Sequence, residues 1–99
     1  MKEYEVSFLS IAYDDLAAAI SNISQMSDNA ALSFTDDLDR QTAYLKKMPN
    51  MYPLDENHPP YRRMVLRDFL VFYTVDEQKY KVEICRILPA RMELRRFFF

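Results

Sequence analysis

From Glu3 to Leu9 the chain alternates. Tyr4, Val6 and Phe8 fall on one side and Glu3, Glu5 and Ser7 on the other, the period of a half-buried strand. From Ile11 to Gln25 the period lengthens, with Ala12, Leu16, Ile20 and Ile23 at helical spacing. Ser10 stands where an N-cap would, and Asp14 and Asp15 sit in the early turns, where the helix dipole favours anions. The polar break Met26–Asn29 offers Ser27 or Asp28 as a second cap. A second stripe follows through Ala31, Phe34, Leu38, Leu45 and Met48, with Lys46 and Lys47 in the last turn and Pro49 as the stop. The spacing therefore predicts two antiparallel helices joined by a short link.

Pro49, Pro53, Pro59 and Pro60 make residues 49–60 a loop. Three strand-like runs come next, at about 61–67, 69–75 and 79–88, the last two joined by a turn at Asp76–Lys79. On the first run Met64 and Leu66 face one way and Arg63, Val65 and Arg67 the other. The middle run, FLVFYTV, is apolar on both sides, as a central strand should be. On the third, Tyr80, Val82 and Ile84 oppose Lys81, Glu83 and Cys85. The order is β-α-α-β-β-β, an α+β class in which a mainly antiparallel sheet packs one face on the helical hairpin and leaves the other uncovered by any long element. Ninety-nine residues fit one domain. Glycine is absent, so two-residue hairpins that need positive φ are not expected.

Charge changes the picture. The net charge of −2 argues against a general nucleic-acid glove, but residues 1–60 carry −6 and residues 61–99 carry +4. Either the halves neutralise each other across the fold, or the basic half meets something anionic. For Arg62 the pairing reading points to Glu83 or Asp68, and for Arg86 to Glu5. For Arg63 and Arg67, on the open face, pairing and function weigh equally. Cys85 is the lone cysteine, a small apolar strand residue with no disulfide partner. His58, the only histidine, lies in the proline-rich loop and reads as solvated. Asp36, Asp37 and Asp39 diverge around a helix and read as a solvated face, so no metal or cofactor is implied. No apolar run approaches the roughly 20 residues of a membrane span, and the N-terminal stretch lacks a signal-peptide profile, so a cytoplasmic location without membrane contact is the expectation.

The arginine pair Arg62–Arg63, the apolar Met64–Leu66, the run Phe69–Tyr73 and the segment Arg86, Ile87, Leu88, Pro89, Ala90, Arg91 resemble the RelE/ParE superfamily of bacterial toxins, the toxin halves of type II toxin–antitoxin modules. Pro89 and Ala90 stand where that pattern has an aromatic or histidine and a glycine, and Phe97 falls where its ribonuclease members often have tyrosine. The resemblance implies a cognate antitoxin as partner. It implies two activities. In the RelE-like one, a metal-independent ribonuclease cuts messenger RNA on the ribosome, and Arg63, Arg67, Arg91, Lys46, Lys47 and Tyr73 are the candidate catalytic groups. In the ParE-like one, the toxin inhibits DNA gyrase and needs only a binding surface. The lack of a complete acid–base set favours the second; a remnant without activity is the third reading. Arg63, Arg67, Arg91, Arg95, Arg96, Phe97 and Phe98 are the candidate surface for antitoxin or target, unless the terminal phenylalanines dock on the protein's own core.

Overall fold

The computed structural model describes residues 2–91. The elements are β1 (Glu5–Phe8), α1 (Ser10–Met26), α2 (Asp28–Lys47), β2 (Arg62–Leu66), β3 (Phe69–Asp76) and β4 (Lys81–Pro89). The strands form one sheet in the order β1-β4-β3-β2, with β1 parallel to β4 and the other pairings antiparallel. The α+β class and the β-α-α-β-β-β order are those the pattern predicts. No helix among the described residues is long and apolar enough to cross a membrane.

Ser27 alone links the helices. Its N–H closes α1 on Ile23 O at 3.0 Å, and its Oγ accepts the Ala30 N–H of α2 at 3.2 Å. Ser10 is not a cap. The Leu9 N–H is still held by Ile84 O at 2.9 Å, so the chain turns from the ladder directly into α1 with Leu9 at the N-cap and no side-chain capping bond. Met48 does not extend the α2 stripe either. It is the C-cap, and its backbone turns away (φ −134°, ψ 70°), which leaves the side chain exposed.

The main core lies between hairpin and sheet. Ala12 and Ala19 of α1 and Phe34, Leu38 and Leu45 of α2 meet Met64, Leu66, Val71, Tyr73, Val82, Ile84 and Ile87 of the sheet. Each large apolar side chain buried there contributes about 1.5–3 kcal/mol. Small residues on α1 let the helix approach β4 closely. The second face is not bare, contrary to expectation: Leu70, Phe72 and Leu88 are buried on it, with Tyr61 packed against them. These side chains come from the both-faces-apolar run of β3 and from the far half of β4, and apolar residues of that size do not stay in water where cover exists.

Two further departures concern backbone geometry. The ladder shifts between Phe72 and Tyr73, which pair with Arg86 and Ile84, so Cys85 is an extra residue on β4. The shift changes which residues meet the helices, from Val82 and Ile84 before it to Ile87 after it. Arg67 and Asp68 form a two-residue connection between β2 and β3 with Arg67 at φ 54°, so a positive-φ hairpin does occur without glycine. The side chain of Arg67 is anchored to α2, which holds the residue in this uncommon conformation. Tyr80, also at φ 54°, closes the β3–β4 turn, where Asp76 Oδ1 accepts the Gln78 and Lys79 N–H groups at 3.1 and 3.0 Å.

Candidate functional site

The arginines of the basic half do not share one surface. Arg63 points to the second face, its strand neighbours Met64 and Leu66 to the core. Its guanidinium is 3.9 Å from Asp55 Oδ2, and Asp55 is 5% exposed. His58 Nδ1 lies 3.4 Å from the same oxygen, and its ring meets the edge of Phe72 at 6.4 Å between centroids. The reading of His58 as solvated is therefore corrected. Hydrogen bonds from Asp55 N to Tyr61 O, His58 N to Asp55 O and Tyr61 N to His58 O close the loop on itself and carry the imidazole inward. The Pro59–Pro60 peptide within it is cis.

Arg67 goes the other way. Its Nε donates to Asp37 Oδ2 at 2.9 Å and its NH2 to Ser33 Oγ at 2.6 Å, both on α2. Arg40 donates to the same carboxylate at 2.9 Å. The hydrogen bonds from Arg67 and then Arg40 hold the Asp37 carboxyl below the usual carboxylate range. So Asp37 is not simply a solvated helix acid, and Arg63 and Arg67 are on opposite faces. The strand period misplaced Arg67 because the residue is in the turn, where alternation no longer applies.

The other expected pairings also differ. Arg62 donates to Tyr52 O at 2.7 Å instead of meeting Glu83 or Asp68, because it stands at the sheet edge beside the proline-rich loop. Arg86 pairs with Asp15 instead of Glu5, through two hydrogen bonds of 2.8 and 2.9 Å. Asp15 Oδ2 also accepts the Ile87 N–H at 3.0 Å. The physical reason is the shortness of β1: β4 runs on past it, and α1 lays Asp15 against the vacated edge. Asp15 is thus a strand-edge partner, and α1 has no acid in its first turn.

The groups expected to supply catalysis are dispersed too. Tyr73 is fully buried in the main core, its hydroxyl donating to Pro49 O at 2.8 Å, and burial raises its pKa above the ordinary phenol value. Lys46 and Lys47 end α2, next to Tyr4, whose N–H donates to Lys46 O at 2.8 Å. From Asp37, where Arg67 is held, to Lys47 is about 15 Å of helix. Burial pushes the Cys85 thiol up to about 11, as befits an apolar strand position.

What the fold does bring together is Arg67 and Arg91. The β2–β3 turn and the end of β4 are joined by Ala90 N donating to Asp68 O at 2.8 Å. Beside them lie the end of α1 and the start of α2. Two cavities, about 370 and 270 Å³, adjoin there and share Ile23, Met26, Asp68 and Phe69 in their walls. Arg67 lines the first and Arg91 the second. The arrangement is an apolar groove with a cation on each part of its rim, suited to binding a partner segment and not to proton transfer. Arg95, Arg96, Phe97 and Phe98 lie outside the described residues. The sequence pattern missed Asp15, Asp55 and the groove itself. For Asp55 a signal existed in the run Asp55–Glu56–Asn57, since Asp55 Oδ1 accepts the Asn57 N–H at 2.9 Å in an Asx turn.

A family model described as the ParE toxin of the type II toxin–antitoxin system parDE matches residues 6–94. No curated protein matches the chain. Among solved structures, the chromosomal ParDE toxin–antitoxin system from P. aeruginosa is similar at 20% identity and TM-score 0.72, over 88% of this chain and 96% of that one. The toxin–antitoxin complex RelBE2 from Mycobacterium tuberculosis is similar at 19% identity and TM-score 0.60, over 88% and 98%. A mutant of the E. coli toxin RelE in the free state is similar at 14% identity and TM-score 0.62, over 90% and 85%.

Proposed function

The chain belongs to the ParE toxin family of type II toxin–antitoxin systems, and from that premise we propose that it arrests growth by binding its target, DNA gyrase, and is neutralised by a cognate antitoxin. The observation that carries the choice of binding over RNA cleavage is the dispersal of the candidate catalytic groups. Arg63 is on one face, Arg67 is tied to α2, Tyr73 is sealed in the core and Lys46 and Lys47 end the far side of α2. In-line attack on a phosphodiester needs a base, an acid and cations converging within hydrogen-bond reach of one phosphate. A toxin that acts by occupancy needs no such convergence.

The groove bearing Arg67 and Arg91 is the surface this reading assigns to a protein partner, with Arg95, Arg96, Phe97 and Phe98 following Arg91 in sequence. Exposed apolar wall residues such as Met26 supply area, and Arg91 on the rim supplies steering toward an acidic segment. Induced expression in a bacterial host tests the proposal. A DNA-damage response with intact transcripts is the expected result. Cleaved transcripts with an intact chromosome would mean the nuclease reading, and unimpaired growth would mean a toxin without activity.

A further inference from the structure

We infer that the end of α2 and the first turn of the proline-rich loop form a second docking face, which takes an apolar segment edged with acidic residues on the toxin's target protein. This rests on the toxin reading above and adds where the target is held. Tyr44, Lys47 and Met48 are spaced three and four positions from one another, on one side of the last turn of α2 and its cap. Met51 N donates to Met48 O at 3.2 Å, a turn that folds the loop back and brings these two residues together. Tyr44, Met48 and Met51 are 44%, 53% and 41% exposed. Large apolar side chains gathered in water mark a contact surface, whereas single ones do not.

Their exposure is not looseness. The Tyr73 hydroxyl donates to Pro49 O at 2.8 Å, Arg62 to Tyr52 O at 2.7 Å and Arg63 N to Pro53 O at 3.0 Å, and the Tyr52 hydroxyl is bonded to Gln41 of α2. The backbone under the patch is thus fixed before a partner arrives, and binding does not have to order it. The two methionines supply side chains that adapt to the partner's shape.

Charge selects that partner. Arg62, Arg63, Arg67 and Arg86 are each held by an acceptor inside the domain, whereas Lys46 and Lys47 make no ion pair among the described residues. Lys2 joins them: Lys2, Glu3, Lys47 and Met48 wall a cavity of about 310 Å³. The acids beside these lysines are Glu3 and Glu77, and Glu77 is bonded to Asn50 at 3.2 Å. This end is therefore cationic on a chain of net charge −2, and an acidic segment is drawn to it. A second copy is the wrong occupant, because two-fold pairing of the patch with itself sets lysines against lysines. A nucleic-acid backbone is wrong too, since phosphates would leave Tyr44, Met48 and Met51 without apolar contact. From Ala30, in the wall of the groove, to Lys47 is about 25 Å of helix, so a short segment in the groove does not cover this face.

The test uses the full-length toxin, copurified with its antitoxin and then released from it, with purified DNA gyrase as the probe. One variant combines Tyr44→Ser, Met48→Gln and Met51→Gln, and a second combines Lys46→Glu and Lys47→Glu. All five positions are exposed, and denaturant unfolding reports whether each variant folds as the wild type does. The first variant should bind gyrase at least about tenfold more weakly and lose growth arrest, while its affinity for the antitoxin stays within about twofold. The second should associate with gyrase about tenfold more slowly and lose the salt dependence of that step. Met51→Gln alone lies outside the helix and should weaken gyrase binding by about threefold, a result that stands if the triple variant is unstable. Folded variants that bind gyrase and arrest growth like the wild type overturn this face and leave the toxin reading intact. Antitoxin affinity that falls in step with gyrase binding also overturns it, and so does a loss confined to binding of duplex DNA. A wild-type toxin that neither binds gyrase nor arrests growth overturns the toxin reading itself.

Discussion

At the level of single residues, Tyr73 separates the two activities most cleanly. A tyrosine that gives up a proton in catalysis must reach substrate, and this one is fully buried with its hydroxyl on Pro49 O. Tyr73→Phe should leave growth inhibition intact and lower stability by about 1–2 kcal/mol, since a buried carbonyl loses its donor. Denaturant unfolding and a growth assay on the same variant check both halves; loss of toxicity at unchanged stability would restore Tyr73 as a catalytic group. The sequence showed that Tyr73 sits in a strand apolar on both faces, and that was enough to favour packing. It did not show where the arginines point. A guanidinium ends several bonds from its Cα, so strand alternation places the backbone of Arg67 or Arg86 but not the charge. Both ended on helix carboxylates, Asp37 and Asp15, far from them in the chain.

At the level of elements, the pattern located the helices and strands of the described residues, because the burial period is written in the apolar positions, on one face of most elements and on both faces of β3. The boundaries that slipped are those where a hydrogen bond from outside the element decides. Ser10 looked like a cap and is helical because Leu9 is held by β4. The extra residue at Cys85 is invisible to a two-residue period, since a bulge changes the phase without changing composition. Ser27 is the position where local signal and structure agree, and there a single residue ends one helix and begins the next. Ser27→Ala should destabilise the protein by about 1 kcal/mol through loss of the bond to Ala30 N, while Ser27→Asp, which keeps an acceptor, should not. Thermal melts of the two variants side by side would show it; equal losses would mean that the link's backbone, not its side chain, does the capping.

At the level of the whole molecule, the acidic front and basic back of the chain are stitched to each other by Arg67–Asp37, Arg86–Asp15 and, more loosely, Arg63–Asp55. Mutual neutralisation therefore accounts for part of the polarity, and the cation that remains on the groove rim at Arg91 is what a partner would meet first. The stitches are not alike. Asp37 lies at the surface, where roughly 1 M salt shortens the reach of a charge to about 3 Å. Asp15 and Arg86 have side chains only 13% and 12% exposed, and Asp15 also holds the Ile87 N–H. Removing the carboxylate there leaves a nearly buried guanidinium and a strand amide without it, a loss of about 3 kcal/mol or more that ions in solution cannot reach. The thermal penalty of Asp37→Ala should thus shrink as sodium chloride rises toward that concentration, and the penalty of Asp15→Ala should persist. If the two penalties fell together, Asp15 would be a screened surface charge, and the edge of β4 beyond β1 would have to be held by packing alone.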